Sequence, residues 1–121
     1  MKIYLGQRGP DGCQVTVNGR PLSGMLRAIR PTGGGSVAGM DWSQGGAAAA
    51  EVAYALLADA IGPANAEHLF GHYKRAVIDT LPYQGWRLTV DEVRLHAEGL
   101  KILFPSRPRN RTAVQVAQLS P

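Results

Sequence analysis

Two short runs of β-branched and aromatic residues, Ile3-Tyr4-Leu5 and Val15-Thr16-Val17, flank the turn cluster Gly9-Pro10-Asp11-Gly12, a pattern that predicts an N-terminal antiparallel hairpin. Asn18-Gly19 ends the second strand, because this dipeptide tolerates two positive φ values in a tight turn. Pro21 to Ile29 is ambiguous. Pro31-Thr32-Gly33-Gly34-Gly35-Ser36 opens an aperiodic stretch that reads as flexible up to about Gly39. From Gly46 to Ile61 nearly every position is apolar, and only Glu51 and Asp59, on one face, interrupt it. This predicts a helix buried over most of its circumference. Gly62-Pro63 stops it.

A second helix is predicted over 64–81, with Leu69, Phe70, Tyr73, Val77 and Leu81 on one stripe and Asn65, His68, His72, Arg75 and Asp79 on another. Pro82 ends it. Thr89-Val90-Asp91-Glu92 has the form of a capping box, and Val90, Val93, Ala97, Leu100 and Phe104 follow at helical spacing. Gly99 weakens that third helix, and Lys101 to Phe104 also fits a strand. These elements make an α+β class domain, a small antiparallel sheet packed against two to three helices. The sheet is extended by the segment around Asp41-Trp42 or by Thr112 to Leu119. Residues 1–104 form one globular unit and 105–121 a basic tail containing Pro and Arg, which adds a strand in one reading and is a loose extension in the other.

With 121 residues the chain has room for one core, large enough to need no metal, disulfide or other cofactor for stability. Cys13 is its single cysteine and has no internal partner. No signal-peptide pattern or membrane-length apolar run is visible, which suggests a cytoplasmic setting. The net charge of +4 is unevenly spread. Residues 1–30 carry Lys2, Arg8, Arg20, Arg27 and Arg30 against Asp11, the tail carries Arg107, Arg109 and Arg111 with no acid, and the middle is acidic. If the basic ends converge they form a patch for phosphate or for an acidic protein surface.

Candidate chemistry is sparse. His68 and His72 stand at i and i+4, a spacing that suits a metal, but no third ligand is evident and the stripe reads as solvated. Gly33 to Gly39 fits a dinucleotide fingerprint in letters but lacks the strand-to-helix setting, and no Gly-Lys-Ser/Thr is present. A better anion or small-ligand candidate is Ser43-Gln44-Gly45-Gly46 at the start of the buried helix, where free amides carry positive partial charge. A tight entry turn accounts for the same glycines. Glu51 either complements the helix dipole or sits in a pocket with a raised pKa. No Cys or Ser is placed by sequence beside a base, so no catalytic set is assigned.

The segment Met40-Asp41-Trp42-Ser43-Gln44-Gly45-Gly46 running into Ala47 to Leu57 resembles a family of small domains of unknown function encoded by phages, plasmids and bacterial genomes. In that family an aromatic-acid-Trp step leads through a Gly-rich turn into an Ala- and Leu-rich helix. Tyr4 to Leu22, Tyr73-Lys74, Leu81-Pro82 and Trp86-Arg87-Leu88-Thr89 are similar to its other parts, over about residues 2–95. Ala49, Glu51 and Ser43-Gln44 depart from the pattern, where Pro, Gln and Gly-Tyr would stand. The resemblance implies a bacterial or phage setting and a small α+β domain, and no known activity.

The expectation is a non-enzymatic binding protein of mobile-element type, a stoichiometric inhibitor or accessory of a host defence complex as anti-CRISPR proteins are. Its partner is a protein, contacted through Arg8, Arg20, Arg107, Arg109 and Arg111, with Trp42 as an anchor if it is not core. Two alternatives stand beside it. One is a nucleic-acid accessory using the basic ends. The other is a small-ligand binder at Ser43, Gln44, Gly45, Gly46 and Glu51. No membrane contact is expected.

Overall fold

The computed structural model describes residues 1–10, 12–22 and 41–105. The expectations for the Gly-rich stretch, for Arg107, Arg109 and Arg111 and for a strand at 112–119 lie outside the described residues.

Four antiparallel strands, β1 (Ile3–Gly9), β2 (Gly12–Val17), β3 (Arg20–Pro21) and β4 (Gly85–Thr89), form one sheet in the order β3-β2-β1-β4. The predicted hairpin closes with Gly9 opposite Gly12. At the next turn Asn18 and Gly19 take φ values of 49° and 85°, and the Asn18 side chain accepts the Ile3 amide at 2.9 Å. That conformation suits a tight hairpin, whose twist matches the strands it joins.

Alternation along β1 sends Tyr4, Gly6 and Arg8 to one face, beside Val17, Val15 and Cys13 of β2 and, for the first two, Leu88 and Trp86 of β4. This face carries the core. Tyr4 is fully buried and donates its hydroxyl proton to Asp59 at 2.7 Å, fixing the sheet against the first helix. Burial and that carboxylate both push the Tyr4 hydroxyl pKa upward, so the phenol remains protonated.

Helix α1 (Gly46–Ile61) is buried on almost every side, as its composition predicts, with Val52, Ala53, Ala55, Leu56 and Leu57 fully excluded from water. Gly62, at φ 96°, reverses the chain and Pro63 begins α2 (Pro63–Ala76). The expected helix to Leu81 stops short. Val77 makes the last helical amide bond, to Tyr73 O, and a separate 3-10 turn covers Ile78–Thr80. Thr80 Oγ donates to Val77 O at 2.7 Å, a local side-chain bond that satisfies the carbonyl without continuing the helix.

The sheet also differs from expectation. Asp41-Trp42 adds no strand, because Trp42–Gln44 is a 3-10 turn with Asp41 as its cap. Among the described residues the strands added to the hairpin are the short β3 and β4, and in β4 Trp86 and Leu88 alternate inward and Arg87 outward. The capping box follows at once. Thr89 Oγ accepts the Glu92 amide at 3.1 Å while Glu92 accepts the Thr89 amide at 2.8 Å, starting α3 (Val90–Leu103). Helix α3 continues through Lys101 to Leu103, so the strand alternative there is overturned.

His68 and His72 meet the end of this helix. His68 Nε2 lies 2.8 Å from the Phe104 carbonyl oxygen, and the His72 ring stacks on the Phe104 ring at 3.7 Å and 6°. The face expected to be solvated is therefore partly used to seat α3. Deeper in the same seam, Tyr73 and His96 are 3.1 Å apart. Burial raises the Tyr73 pKa and lowers that of His96, so both groups are favoured in their neutral forms across this hydrogen bond.

Candidate functional site

Three segments distant in sequence meet at one end of the sheet: the end of β1, the turn before α1 and the approach to β4. Arg8 joins them. Its Nε donates to the Tyr83 carbonyl at 2.9 Å, and one terminal nitrogen donates to Ser43 Oγ at 3.0 Å and lies 3.5 Å from Asp41. The guanidinium carbon sits 3.6 Å from the Tyr83 ring centroid and 5.1 Å from that of Trp42. Arginine suits this position because its planar fork can stack and hydrogen-bond at once.

The turn is built to receive it. Asp41 accepts from the Ser43 amide at 2.9 Å and from the Ser43 hydroxyl at 2.7 Å. These two bonds, together with Arg8, hold the Asp41 carboxyl below its usual range, which makes it a poor proton acceptor. Ser43 thus gives its proton to a weak base and accepts from Arg8. This geometry stabilises the turn and does not activate a nucleophile. Cys13 lies opposite Arg8 on β2, half-buried, and burial followed by the nearby Asp41 pushes its thiol pKa up, away from the reactive thiolate.

Trp42 is 1% exposed and donates its indole N–H to the Pro82 carbonyl at 2.9 Å. It therefore offers no surface anchor, and the expectation that it contacts a partner is corrected by its burial. It meets Trp86 edge to face at 5.6 Å. Trp86 in turn lies across Gly6, where any β-carbon would overlap its indole ring. Trp42 thus links the Arg8 clamp to Trp86 and the core.

Of the other predicted contact residues, Arg107, Arg109 and Arg111 lie outside the described part. Arg20 is exposed on the short edge strand β3. Gly45 and Gly46, with φ values of 68° and 65°, supply the left-handed backbone that enters α1, which has no side-chain cap. Gln44 closes the 3-10 turn, and its side chain lies outside the described part. Glu51 is half-buried on the second turn of α1. Among the described residues no group of three or more His, Cys, Asp and Glu side chains is placed to hold a metal ion. None of the described helices is long and apolar enough to cross a membrane.

Beside Arg8 the hairpin tip leaves an open depression of about 340 Å³, lined by Gln7, Arg8, Gly9, Pro10, Gly12 and Gln14. Sequence reasoning named Arg8 but missed its partners Tyr83 and Asp41. Tyr83 has no local signal, since it lies in an aperiodic connection and reaches Arg8 only through the pairing of β4 with β1.

A family model described as a family of unknown function, DUF6166, matches residues 4–99. The chain belongs to DUF6166. The match takes in the hairpin, the Arg8 clamp, α1, α2 and β4, so the family unit contains the whole site described above. No curated protein and no solved structure matches the chain.

Proposed function

We propose that this chain is a non-catalytic binding protein that acts by occupying a partner's surface, a stoichiometric inhibitor or accessory of a host defence complex in the manner of anti-CRISPR proteins. The cytoplasm of a bacterium, with a phage or other mobile element as the source, is the setting we infer from the resemblance of its sequence. The observation that carries the reading is the hairpin end of the sheet. Its open depression is lined by Gln7 and Gln14, which pair on the outward face of the hairpin, and by Arg8 beside them, while the neighbouring Asp41, Ser43 and Cys13 are held in states unsuited to proton or group transfer. A polar surface of amides beside one arginine, without a poised base, favours docking against a protein surface over reaction.

The test is capture from bacterial lysate by the tagged full chain, with and without nuclease, beside the double variant Gln7→Glu, Gln14→Glu. A stoichiometric protein complex that survives nuclease and is lost in the variant, with the variant's circular dichroism unchanged, is the expected result. Capture abolished by nuclease would move the function to nucleic acid. Capture indifferent to the double variant would remove the hairpin end from the interface.

A further inference from the structure

The outward face of α3 is a second surface that the other described residues leave uncovered. Opposite its buried stripe of Val90, Val93, Ala97 and Leu100 it presents Leu95, 72% exposed, and one heptad later Ile102, 80% exposed, with Leu103 beside it at 69%. Large aliphatic side chains standing this far into solvent on one helix mark an association surface. Gly99 lies between Leu95 and Ile102, and among the described residues nothing stands within 4 Å of the place its β-carbon would take, so another helix can approach closely there.

The charges beside this strip identify the occupant. Asp91, Arg94, Glu98 and Lys101 follow one another as acid, base, acid, base at spacings of three and four residues, so they share a side of the helix. Within the chain they pair only loosely, Arg94 with Asp91 at 4.0 Å and Lys101 with Glu98 at 3.6 Å, and Asp91 and Glu98 are each about two-thirds exposed. Read backwards, the series becomes base, acid, base, acid. A second α3 laid antiparallel across the first, related by a two-fold axis near Leu95, sets Asp91 against Lys101 and Arg94 against Glu98 twice over.

We infer that this chain self-associates through an antiparallel α3–α3 contact, with Leu95 packed against its own copy at the centre and the Asp91-Arg94-Glu98-Lys101 series selecting the orientation. Such isologous contacts are the commonest route to dimers. One helix face buries less than a standard interface, so the dimer is weak and concentration-dependent. Solvent-exposed ion pairs add orientation more than affinity. This contact uses a face separate from the hairpin end and does not depend on the function proposed above.

Sedimentation equilibrium of the full chain over a micromolar to millimolar series tests it. The expected mass rises from the 12.9 kDa of one chain toward twice that value. Leu95→Glu, at a position exposed enough to leave folding intact, raises the dimer Kd by about tenfold or more. The charge variants Arg94→Glu with Lys101→Glu, and Asp91→Lys with Glu98→Lys, each fail to self-associate, and mixing the two restores a heterodimer. A chain that stays monomeric throughout, or a dimer unmoved by Leu95→Glu and by the charge exchange, overturns the inference.

Discussion

Helices α1 and α3 reach similar lengths by opposite means. Helix α1 begins on a glycine with no side-chain cap and no acidic residue in its first turn, and it ends without a basic one. Helix α3 has both halves of a capping box, Asp91 and Glu92 in its first turn, and Lys101 in its last. The first holds its conformation because its surroundings bury it; the second carries its own start and stop signals and buries a single stripe. Isolated helices of this length are marginal in water, so α1 depends on the fold more heavily than α3 does.

Leu56→Ala should separate the two most sharply. Leu56 is fully buried, and the cavity left behind should cost about 2–5 kcal/mol, read as a lower midpoint in urea unfolding. Removing the cap of α3 with Thr89→Ala should cost less, about 0.5–2 kcal/mol in the same assay. If Thr89→Ala proved as damaging as Leu56→Ala, α3 would be the helix on which the fold depends. Gly99→Ala should raise stability by about 0.5–1 kcal/mol, since Gly99 lies inside the helix with open space around it. A loss there in dilute protein would show a packing demand on that face.

The smallest effect concerns the α2–α3 seam. His96 has a depressed pKa in the folded state because it is partly buried, although Glu92 opposes the shift. The unfolded chain therefore takes up a proton first, and His96 contributes stability above the ordinary imidazole pKa that is lost as pH falls below it. Wild type should lose thermal stability between neutral pH and about pH 5.5, and His96→Gln should flatten that slope in a series of thermal melts.

What the sequence made legible follows the same division. The hairpin turn at Asn18-Gly19, the Gly62-Pro63 break and the Thr89–Glu92 box are local signals, and each stands where its residues place it. The run from Ala47 to Ile61 is also legible, because a segment apolar on every side has only the interior to occupy. Strand β4 was not. It offers one Trp-Arg-Leu alternation, which becomes a strand only because β1 has a free edge beside it. The Arg8 site divides likewise. The arginine and Asp41-Trp42-Ser43 stand out as residues, but Trp42 belongs to the core and Tyr83 arrives through strand pairing, and neither fact has a local pattern.

The same clamp bears on how quickly the chain can fold. Arg8 binds residues 33, 35 and 75 positions away along the chain, so its bonds cannot exist until large loops have closed. The turns and helix caps of this chain need only neighbours a few residues away. If the clamp closes only after those loops, Arg8→Lys should speed unfolding and leave the refolding rate almost unchanged, which stopped-flow measurement of both rates would check.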